Sequence, residues 1–418
     1  MLDINLIREN PEKVKEGIKK KNIDESLVDK FLEVDEEWRS QSTEFDNLKA
    51  EQNKISKKIS SGGKDDDLIK QAKELKEKLS EISEKEKTLN EERMNILSQI
   101  PNIPSEKALV GKGEEDNKVI RTVGDKPKFD FEPKDYMEIG ESLGIIDMKR
   151  AAEISGSRFS YLLGKAALLE FGLVQLAMET LVEKGFKPIV PPVMVKPEIM
   201  QKMGKGKFLE ENDAFYVNED NLYMAGSSEH TIGPFHMNEV LRGKDLPIRY
   251  IGFSTCFRRE AGSYGKDTKG ILRVHQFDKA EMFSITTPDK SEEEHEFLVS
   301  CQEQLLQKLE LPYQVLEVCT GDMTWADSRQ YDLETWIPSQ NKYRETNSAS
   351  NTTDFQSRGV NIKYDKGGST EFVHMLNATA FAMGRILIAL IENHQTKEGT
   401  IIIPKSLQKY VNFEEITL

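Results

Sequence analysis

The stretch Phe257-Arg258-Arg259-Glu260 is followed, after a loop from Ala261 to Gly270, by Arg273-Val274-His275-Gln276-Phe277. In a β-strand, Arg258 and Glu260 point to the same face, because side chains alternate along a strand. A guanidinium in this position can bind a carboxylate or phosphate group, while the neighbouring carboxylate contacts a nucleotide base. An exposed ion pair between strands is the simpler interpretation of Arg-x-Glu alone, so other parts of the chain must support a functional one.

Short β-rich runs lie on both sides of this stretch, together with longer helical segments such as Leu162 to Lys184. The runs are Leu222 to Ala225, Ile248 to Phe253, Ala280 to Ile285, Tyr313 to Val318 and Thr400 to Ile403. Few of them are separated by the single crossover helix that a doubly wound parallel sheet requires. We therefore expect an α+β domain built on an antiparallel sheet.

The common phosphate-binding motifs are missing from the sequence. The segment from Gly262 to Thr268 reads GSYGKDT and contains one Gly-x-x-Gly-Lys, whereas a P-loop requires G-x-x-x-x-G-K-[ST]. The dinucleotide motif G-x-G-x-x-G does not occur in the chain. The sequence therefore argues against a Walker site and against a Rossmann site.

Arg385 is the only charged residue in the run TAFAMGRILIALI from Thr379 to Ile391. A guanidinium buried by such a helix must be paired, because an uncompensated buried charge is strongly destabilising. An internal salt bridge to Asp or Glu satisfies this requirement, and so does a contact with a bound triphosphate. The run alone does not choose between the two.

Two heptad series lie in the N-terminal part of the chain, with a and d positions in alternating steps of four and three. The first series is Leu27, Phe31, Val34, Trp38, Gln41, Phe45, Leu48, Gln52, Ile55 and Ile59. The second is Leu68, Ala72, Leu75, Leu79, Ile82, Glu86, Leu89, Arg93, Ile96 and Ile100. Gly62 and Gly63 supply a turn between them. We predict an antiparallel α-helical coiled-coil hairpin with arms roughly 50 Å long.

Folding this hairpin about Gly63 places Gln41 opposite Glu86 and Val34 opposite Arg93, which predicts polar layers that set the register. Although the net charge of the chain is −14, residues 49–78 carry nine lysines against six acidic residues. Periodicity alone leaves a spacer or an oligomerisation element open. The basic half near the tip favours a polyanionic partner.

Prolines and glycines interrupt the helical pattern after the hairpin and predict a linker. They are Pro101, Pro104, Gly111, Gly113, Gly124, Pro127 and Pro133. We predict an N-terminal domain at 1–104 with the hairpin at about 27–100, a linker at 105–133 and a catalytic domain at 134–418.

The cysteines Cys256, Cys301 and Cys319 show neither paired spacing nor neighbouring histidines. We expect neither a disulfide framework nor a zinc site. The N-terminus lacks the apolar core of a signal peptide, and no run approaches the length of a membrane-spanning helix. These features predict a cytoplasmic protein with no membrane partner.

Three segments resemble the signature motifs of class II aminoacyl-tRNA synthetases. Gly185 to Pro192, reading GFKPIVPP, is similar to motif 1; Phe257 to Glu260 with Arg273 to Phe277 is similar to motif 2; and the helix carrying Gly384-Arg385 is similar to motif 3. Within that class, the whole chain resembles the seryl-tRNA synthetase family. Further matching segments are Leu2-Asp3-Ile4, Ile7 to Pro11, Ile100 to Pro104, Ser155 to Phe159 and Trp336 to Asn341.

The resemblance implies ATP as a substrate together with Mg²⁺. The ATP-binding residues it implies are Arg258, Glu260, Arg273, Val274, Phe277, Glu345, Ser348 and Arg385. Arg258 and Arg385 would be the catalytic arginines, with Arg258 holding the substrate carboxylate against the α-phosphate. Glu345 and Ser348 would contact Mg²⁺.

The resemblance also implies L-serine as the amino-acid substrate. Its binding residues would be Ser227, Glu229, Arg258, Glu281, Asn377 and Thr379, with Glu281 and Thr379 at the hydroxyl and Ser227 and Glu229 at the α-ammonium. His275 would serve in structure or positioning rather than as a general base.

Several segments depart from the pattern usual in the family. Ser227-Ser228-Glu229 stands where Thr-x-Glu is usual, Glu345-Thr346-Asn347-Ser348 replaces Glu-[Ile/Val]-Ser-Ser, and the loop 321–328 contains Trp325. Ser227 keeps the hydroxyl, so serine stays the expected substrate. Asn347 and Trp325 would narrow the pocket against a serine-mimicking inhibitor or adapt it to a slightly different ligand.

Taken together, the resemblance implies a ligase that makes seryl-adenylate and charges tRNA(Ser), and tRNA(Sec) where it is present, as a homodimer. The candidate tRNA-binding residues are Lys54, Lys57, Lys58, Lys70 and Lys73. A related ligase with a non-tRNA acceptor stays open, although such relatives typically lack the hairpin. A non-catalytic tRNA-binding relative is the other alternative.

Overall fold

A computed structural model describes residues 1–61, 66–261 and 269–418. The chain divides into two compact units, one formed by residues 2–101 and the other by residue 1 with residues 102–418. We refer to them as the helical unit and the catalytic unit.

The described residues of the helical unit form four α-helices. They are α1 (Ile4–Glu9), α2 (Pro11–Lys19), α3 (Ser26–Ser60) and α4 (Asp66–Ser98). The long helices α3 and α4 pack along each other, which confirms the predicted hairpin. All predicted a and d positions on the two helices are buried or half-buried, as a coiled-coil seam requires. The predicted turn at Gly62 and Gly63 lies outside the described residues.

The hairpin contains a charged cluster that sequence analysis did not anticipate. The Asp35 side chain is fully buried, and its carboxylate accepts hydrogen bonds from Arg8 at 2.7 and 2.8 Å and from Arg93 at 3.1 Å. The Arg93 guanidinium also lies 3.7 Å from the centre of the Trp38 ring. The predicted partner of Arg93 was Val34, whereas its observed contacts are with Asp35 and Trp38.

The catalytic unit contains ten helices in the described part of the chain. They are α5 (Tyr136–Ser142), α6 (Met148–Ser155), α7 (Lys165–Val182), α8 (Pro197–Lys202), α9 (Gly206–Glu210), α10 (Glu229–Ile232), α11 (Ser291–Lys308), α12 (Phe355–Val360), α13 (Met383–Asn393) and α14 (Lys405–Val411). None of the described helices is long and apolar enough to cross a membrane.

The strands of this unit form one large sheet and several small ones. They are β1 (Lys118–Val123), β2 (Ile146–Asp147), β3 (Tyr161–Leu162), β4 (Lys187–Ile189), β5 (Met194–Val195), β6 (Tyr216–Val217), β7 (Leu222–Met224), β8 (Val240–Arg242), β9 (Ile248–Phe257), β10 (Gln276–Thr286), β11 (Tyr313–Glu317), β12 (Arg329–Ile337), β13 (Lys342–Asn351), β14 (Lys363–Asp365), β15 (Thr370–Phe372), β16 (His374–Ala382), β17 (Ile401–Ile402) and β18 (Glu415–Ile416).

The large sheet has eight strands in the order β1-β11-β12-β13-β16-β10-β9-β4. All neighbours are antiparallel except β4 and β9. Helices α7, α11 and α13 pack on this sheet, and their apolar residues join those of the central strands in the main core. The expected α+β class with an antiparallel sheet is confirmed.

One edge of the sheet comes from the segment that sequence analysis treats as a linker. Strand β1, at residues 118–123, pairs with β11. An edge strand needs only one neighbour and is largely exposed here, so it lacks the apolar alternation of a central strand. Because glycines and prolines surround it, the sequence pattern alone does not identify β1 as a strand.

We predict that Asp35→Asn destabilises the base of the hairpin by about 3–5 kcal/mol, because it leaves Arg8, Arg39 and Arg93 without their shared counter-ion. Hydrogen exchange of α3 and α4 amides in the full chain measures the effect. Asp46→Asn, at an exposed site on α3, is the matched control. Equal exchange in both variants would contradict the prediction.

The same cluster predicts a direction for pH dependence. Burial raises the pKa of the Asp35 carboxyl, but hydrogen bonds from Arg8 and Arg93 outweigh it, and the net pKa is lowered. A carboxyl whose pKa is lowered by folding stabilises the folded state above its unfolded pKa of about 3.9, and this stabilisation is lost as the pH falls through the folded pKa. We therefore expect the D35N effect to be full at neutral pH.

Candidate active site

A cavity of about 220 Å³ opens beside β10, β13 and the start of α13. All eight side chains predicted to bind ATP line it: Arg258, Glu260, Arg273, Val274, Phe277, Glu345, Ser348 and Arg385. The fold thus brings residues from three distant parts of the chain to one wall. Lys279 and Thr379 also line this cavity.

The strand placement of Arg258 and Glu260 is wrong. Strand β9 ends at Phe257, and Glu260 adopts the left-handed backbone region with a φ of 54°. The chain leaves the sheet at this point, so side chains no longer alternate. The Glu260 carboxylate instead pairs with Arg273 Nε at 3.1 Å. Because both side chains line the cavity, the ion pair forms part of the cavity wall.

Arg258 is held by two contacts beyond the end of β9. Its Nε donates to the Gly226 carbonyl at 3.1 Å, and its guanidinium carbon lies 5.4 Å from the centre of the Phe277 ring. His275 Nδ1 lies 3.0 Å from the carbonyl oxygen of Arg258. His275 therefore braces the backbone of Arg258, in keeping with a positioning role.

Arg385 is only partly buried, with 26% of its side chain exposed, and both interpretations of its charge hold. Its guanidinium is 3.1 Å from Glu345 Oε1 and donates to the Glu345 carbonyl at 3.1 Å, while the side chain still lines the cavity. The Glu345 side chain is 47% exposed. Partial removal from water raises the pKa of its carboxyl, but Arg385, Arg258 and Arg273 together outweigh this effect and the net pKa is lowered. Glu345 is therefore an anion at neutral pH.

The residues at this end of the cavity are suited to a hard cation. Glu345 and Ser348 present oxygen atoms, the donors that Mg²⁺ prefers. Across residues 1–61, 66–261 and 269–418, no three acidic, His or Cys side chains gather closely enough to hold a metal ion. An ion bound here would therefore need further ligands from water or from substrate phosphates, as Mg²⁺ sites commonly do.

Glu281 and Thr379 meet where β10 pairs with β16, and Thr379 lines the cavity. Thr379 Oγ1 donates to Glu281 Oε2 at 3.3 Å, and Lys279 Nζ lies 2.7 Å from the same oxygen. Burial raises the pKa of the Glu281 carboxyl, and Lys279 opposes this shift. Sequence analysis missed Lys279, although its place two residues before Glu281 in one strand is the signal that finds it.

Ser227, Glu229 and Asn377 are not part of the wall of this cavity. Ser227 Oγ accepts a hydrogen bond from the Glu229 N–H at 3.2 Å. Asn377 lies in β16 opposite Phe283 and Ser350. Of the six residues predicted to bind serine, Arg258 and Thr379 line the cavity. The other four, Ser227, Glu229, Glu281 and Asn377, are not among its lining residues.

The Glu229 carboxylate has two partners that sequence analysis missed. Lys205 Nζ lies 2.9 Å from it, and Gln356 Nε2 donates to Oε1 at 2.7 Å. Burial raises the pKa of Glu229, but Lys205 outweighs it and the pKa falls to about 2. Neither partner is close to Glu229 in the sequence, so no local pattern identifies them.

Comparison with known proteins gives matches to both units. The model of the seryl-tRNA synthetase N-terminal domain matches residues 1–104, and the model of the class II core domain for G, H, P, S and T synthetases matches residues 213–394. The serine–tRNA ligase of Thermobifida fusca is 43% identical over 416 residues, which covers 98% of this chain and 97% of the relative.

This chain belongs to the seryl-tRNA synthetase family.

Solved structures of this family agree with that assignment. The seryl-tRNA synthetase of Pyrococcus horikoshii complexed with ATP has a TM-score of 0.91 at 40% identity, over 100% of this chain and 99% of that one. The cytoplasmic serine–tRNA ligase of Naegleria fowleri in complex with AMP has a TM-score of 0.87 at 36% identity, with the same coverage.

The family departure at Asn347 has a structural explanation. Asn347 Nδ2 donates to the carbonyls of Thr379 and Ala380 at 3.0 and 2.8 Å, and Asn347 Oδ1 accepts from Thr346 Oγ1 at 2.7 Å. Asn347 is buried between β13 and β16 and does not line the cavity. It therefore acts on Thr379 through the backbone. The expectation that Asn347 narrows the pocket is wrong, because Asn347 does not line the cavity.

Trp325, the other departure, contacts the segment that carries α9. Its ring centre lies 5.7 Å from Lys207 Nζ. This contact places the unusual loop 321–328 beside the segment that supplies Lys205 to Glu229. The departures at Asn347 in β13 and at Trp325 in the loop 321–328 thus concern residues that support the site.

Proposed function

We propose that this protein is a serine–tRNA ligase of the class II type. It activates L-serine with ATP to seryl-adenylate and pyrophosphate, then transfers the seryl group to the 3′-terminal adenosine of tRNA(Ser), and of tRNA(Sec) where it is present. The observation that carries this proposal is one cavity that joins the eight predicted ATP-binding residues to Thr379 and Lys279, both in contact with Glu281.

In the activation step, two arginines are assigned to the reacting groups. Arg258 holds the serine carboxylate against the α-phosphate and neutralises the charge that develops at phosphorus. Arg385 lies at the adenine face or the γ-phosphate and assists departure of pyrophosphate. Glu260 contacts the adenine amino group, and Phe277 stacks on the ring. Arg273 pairs with Glu260 and so orients it.

Mg²⁺ is assigned to Glu345 and Ser348, with phosphate oxygens as further ligands. When bound, the ion neutralises phosphate charge and orients the triphosphate. Arg385 contributes by keeping Glu345 ionised and aimed at the cavity.

Recognition of serine rests on its three polar groups. Glu281 and Thr379 bind the hydroxyl, and Ser227 and Glu229 bind the α-ammonium, with Asn377 as a further member of the set. A site built to hydrogen-bond a hydroxyl rejects analogues that lack it far better than an apolar pocket can. The ionised form of Glu281 is the acceptor in this scheme, and Lys279 favours that form.

We predict that Lys279→Met raises the KM for serine about tenfold or more at neutral pH, because a charge-assisted hydrogen bond of about 1.5–3 kcal/mol is removed. Without Lys279 the pKa of Glu281 rises further, so the KM should fall again as the pH increases. Serine-dependent pyrophosphate exchange between pH 6 and 9 measures both effects. Lys342→Met, at an exposed position in β13, is the control. A pH-independent KM in K279M would contradict this role.

The N-terminal domain at 1–104, which contains the helical unit, is assigned to tRNA binding, and residues 134–418 are assigned to catalysis. Lys54, Lys57, Lys58, Lys70 and Lys73 are all exposed on α3 and α4. Exposed lysines on one half of a hairpin provide the positive charge that binds a phosphate backbone. The presence of the hairpin favours tRNA over a non-tRNA acceptor.

We predict that replacing these five lysines by Gln leaves pyrophosphate exchange within about twofold and weakens tRNA charging. The slope of log affinity against log salt should decrease by about 0.9 for each phosphate that the variant no longer neutralises. Lys85→Gln with Lys87→Gln, exposed on the other half of α4, is the control. Exchange without charging in the unchanged protein favours a non-tRNA acceptor, and no exchange favours a non-catalytic relative.

We also propose a homodimer that forms through α7 and the motif 1 segment 185–192. Leu168, Phe171 and Val182 on α7 are 52%, 63% and 45% exposed, and Val190 is 84% exposed. Exposed apolar residues grouped on neighbouring segments are typical of an interface. In such a dimer one protomer's hairpin serves the active site of its partner.

Light scattering tests this proposal. We expect a dimer for the unchanged protein and a shift to monomer for Phe171→Glu, because a buried unpaired carboxylate is costly. Val240→Glu, at another exposed apolar position, should leave the dimer intact. A monomeric protein with full charging activity would contradict the proposal.

The cytoplasm is the proposed location. All three cysteines are free and buried, as in a reducing compartment. Cell fractionation with an antibody against the full chain tests this assignment.

A further inference from the structure

Lys205 lies immediately before α9, beside the carboxylate assigned to the substrate amino group. Its Nζ is 2.9 Å from each of the two oxygens of Glu229. The Lys205 side chain is 19% exposed, and that of Glu229 is 7% exposed. An ammonium group from the protein itself therefore occupies the outward side of this carboxylate.

Glu229 has two further hydrogen bonds, one to its carboxylate and one from its backbone. Gln356 of α12 donates to Oε1 at 2.7 Å, and the Glu229 N–H donates to Ser227 Oγ at 3.2 Å. The neighbouring His230 has its pKa lowered to about 3 by burial and then by Lys205, so it is neutral and adds no competing charge. Lys205 is thus the cation that covers Glu229.

The α-ammonium of serine has the same charge and the same hydrogen-bonding pattern as the end of a lysine side chain. Both are –NH₃⁺ groups that donate three hydrogen bonds and accept none. Two such groups at one buried carboxylate repel each other at short range, and the low local dielectric strengthens this repulsion. Serine cannot use Glu229 fully while Lys205 stays in place.

The two lysines that pair with Glu229 and Glu281 are held in place differently. Lys279 belongs to β10, whose neighbours on both sides hold it within the large sheet. Lys205 follows Gly204, which has a φ of 73°, and precedes a helix of five residues. Lys205 is more exposed than Lys279, whose side chain is 8% exposed. Lys205 is therefore the one that can withdraw.

We propose that Lys205 is a placeholder cation, which pairs with Glu229 in the empty site and is displaced by the amino group of the incoming amino acid. This inference rests on the proposed function, because it takes Glu229 as the ammonium-binding residue. The placeholder keeps Glu229 ionised and in position before the substrate arrives. As a consequence, the apparent affinity for the amino acid is lower than the intrinsic affinity, because only molecules in which Lys205 has left Glu229 bind it fully.

Steady-state pyrophosphate exchange with Lys205→Gln tests the placeholder. We expect the KM for serine to fall about three- to tenfold, because the competing cation is removed while a hydrogen-bond donor remains. The KM for ATP and kcat should stay within about twofold of the unchanged protein, since Lys205 contacts neither reacting group in this scheme. Lys205→Arg, which keeps the cation, should retain the higher KM.

A serine analogue without the amino group provides a second readout. 3-Hydroxypropanoate has no ammonium to displace Lys205, so its inhibition constant should be the same in K205Q and in the unchanged protein. A general loosening of the site would change both ligands together. Lys202→Gln, exposed on α8 three residues earlier, is the matched control and should change neither constant.

Two results overturn the inference. A higher KM for serine in K205Q that K205R restores makes Lys205 part of the serine-binding site. A KM for serine that is unchanged in K205Q and in Lys205→Ala shows that no competition occurs. By contrast, absence of serine-dependent exchange in the unchanged protein defeats the proposed function itself, and with it the role of Lys205. Circular dichroism of each variant confirms that it is folded.

Discussion

Carboxylates removed from water need a cation, and this requirement organises the site. Glu260 pairs with Arg273, Glu345 with Arg385, and Glu281 with Lys279. The Glu281 side chain is buried, and an unpaired carboxylate there would be protonated or would destabilise the fold, whereas the Glu260 and Glu345 side chains are 13% and 47% exposed. Each pair therefore fixes the position of a charged group at or beside the cavity.

The large antiparallel sheet makes these pairings possible. Residues that are far apart in the sequence, such as Glu281 and Thr379, become neighbours because β10 and β16 lie side by side. Asn347 and Gln302 both donate to the Thr379 carbonyl, at 3.0 and 2.9 Å, and so fix the backbone at that point. The site is rigid where the sheet supports it. It is more adaptable where short segments such as α9 approach from outside.

The helical unit follows the same rule with a different outcome. Its seam is mainly apolar toward the tip, where Ile55, Leu75 and Leu79 form a cluster. Toward its base the buried group is Asp35, which pairs with Arg8 of α1, Arg39 of α3 and Arg93 of α4. A buried charge that accepts only one arrangement of partners selects the pairing of the helices, whereas apolar contacts alone tolerate sliding.

The sequence by itself determined the features that repeat along the chain or that stand out from their neighbouring residues. The heptad steps of α3 and α4, the antiparallel α+β class and the isolated charge of Arg385 are of this kind, because periodicity and burial leave a local pattern. Only the tertiary structure decided the end of β9 before Arg258, the edge strand β1, and the pairs Asp35–Arg93, Glu229–Lys205 and Glu281–Lys279. Four of these five depend on contacts that no local pattern encodes. The Glu281–Lys279 pair shows a spacing of two residues, but that spacing becomes an ion pair only when the sheet buries both side chains.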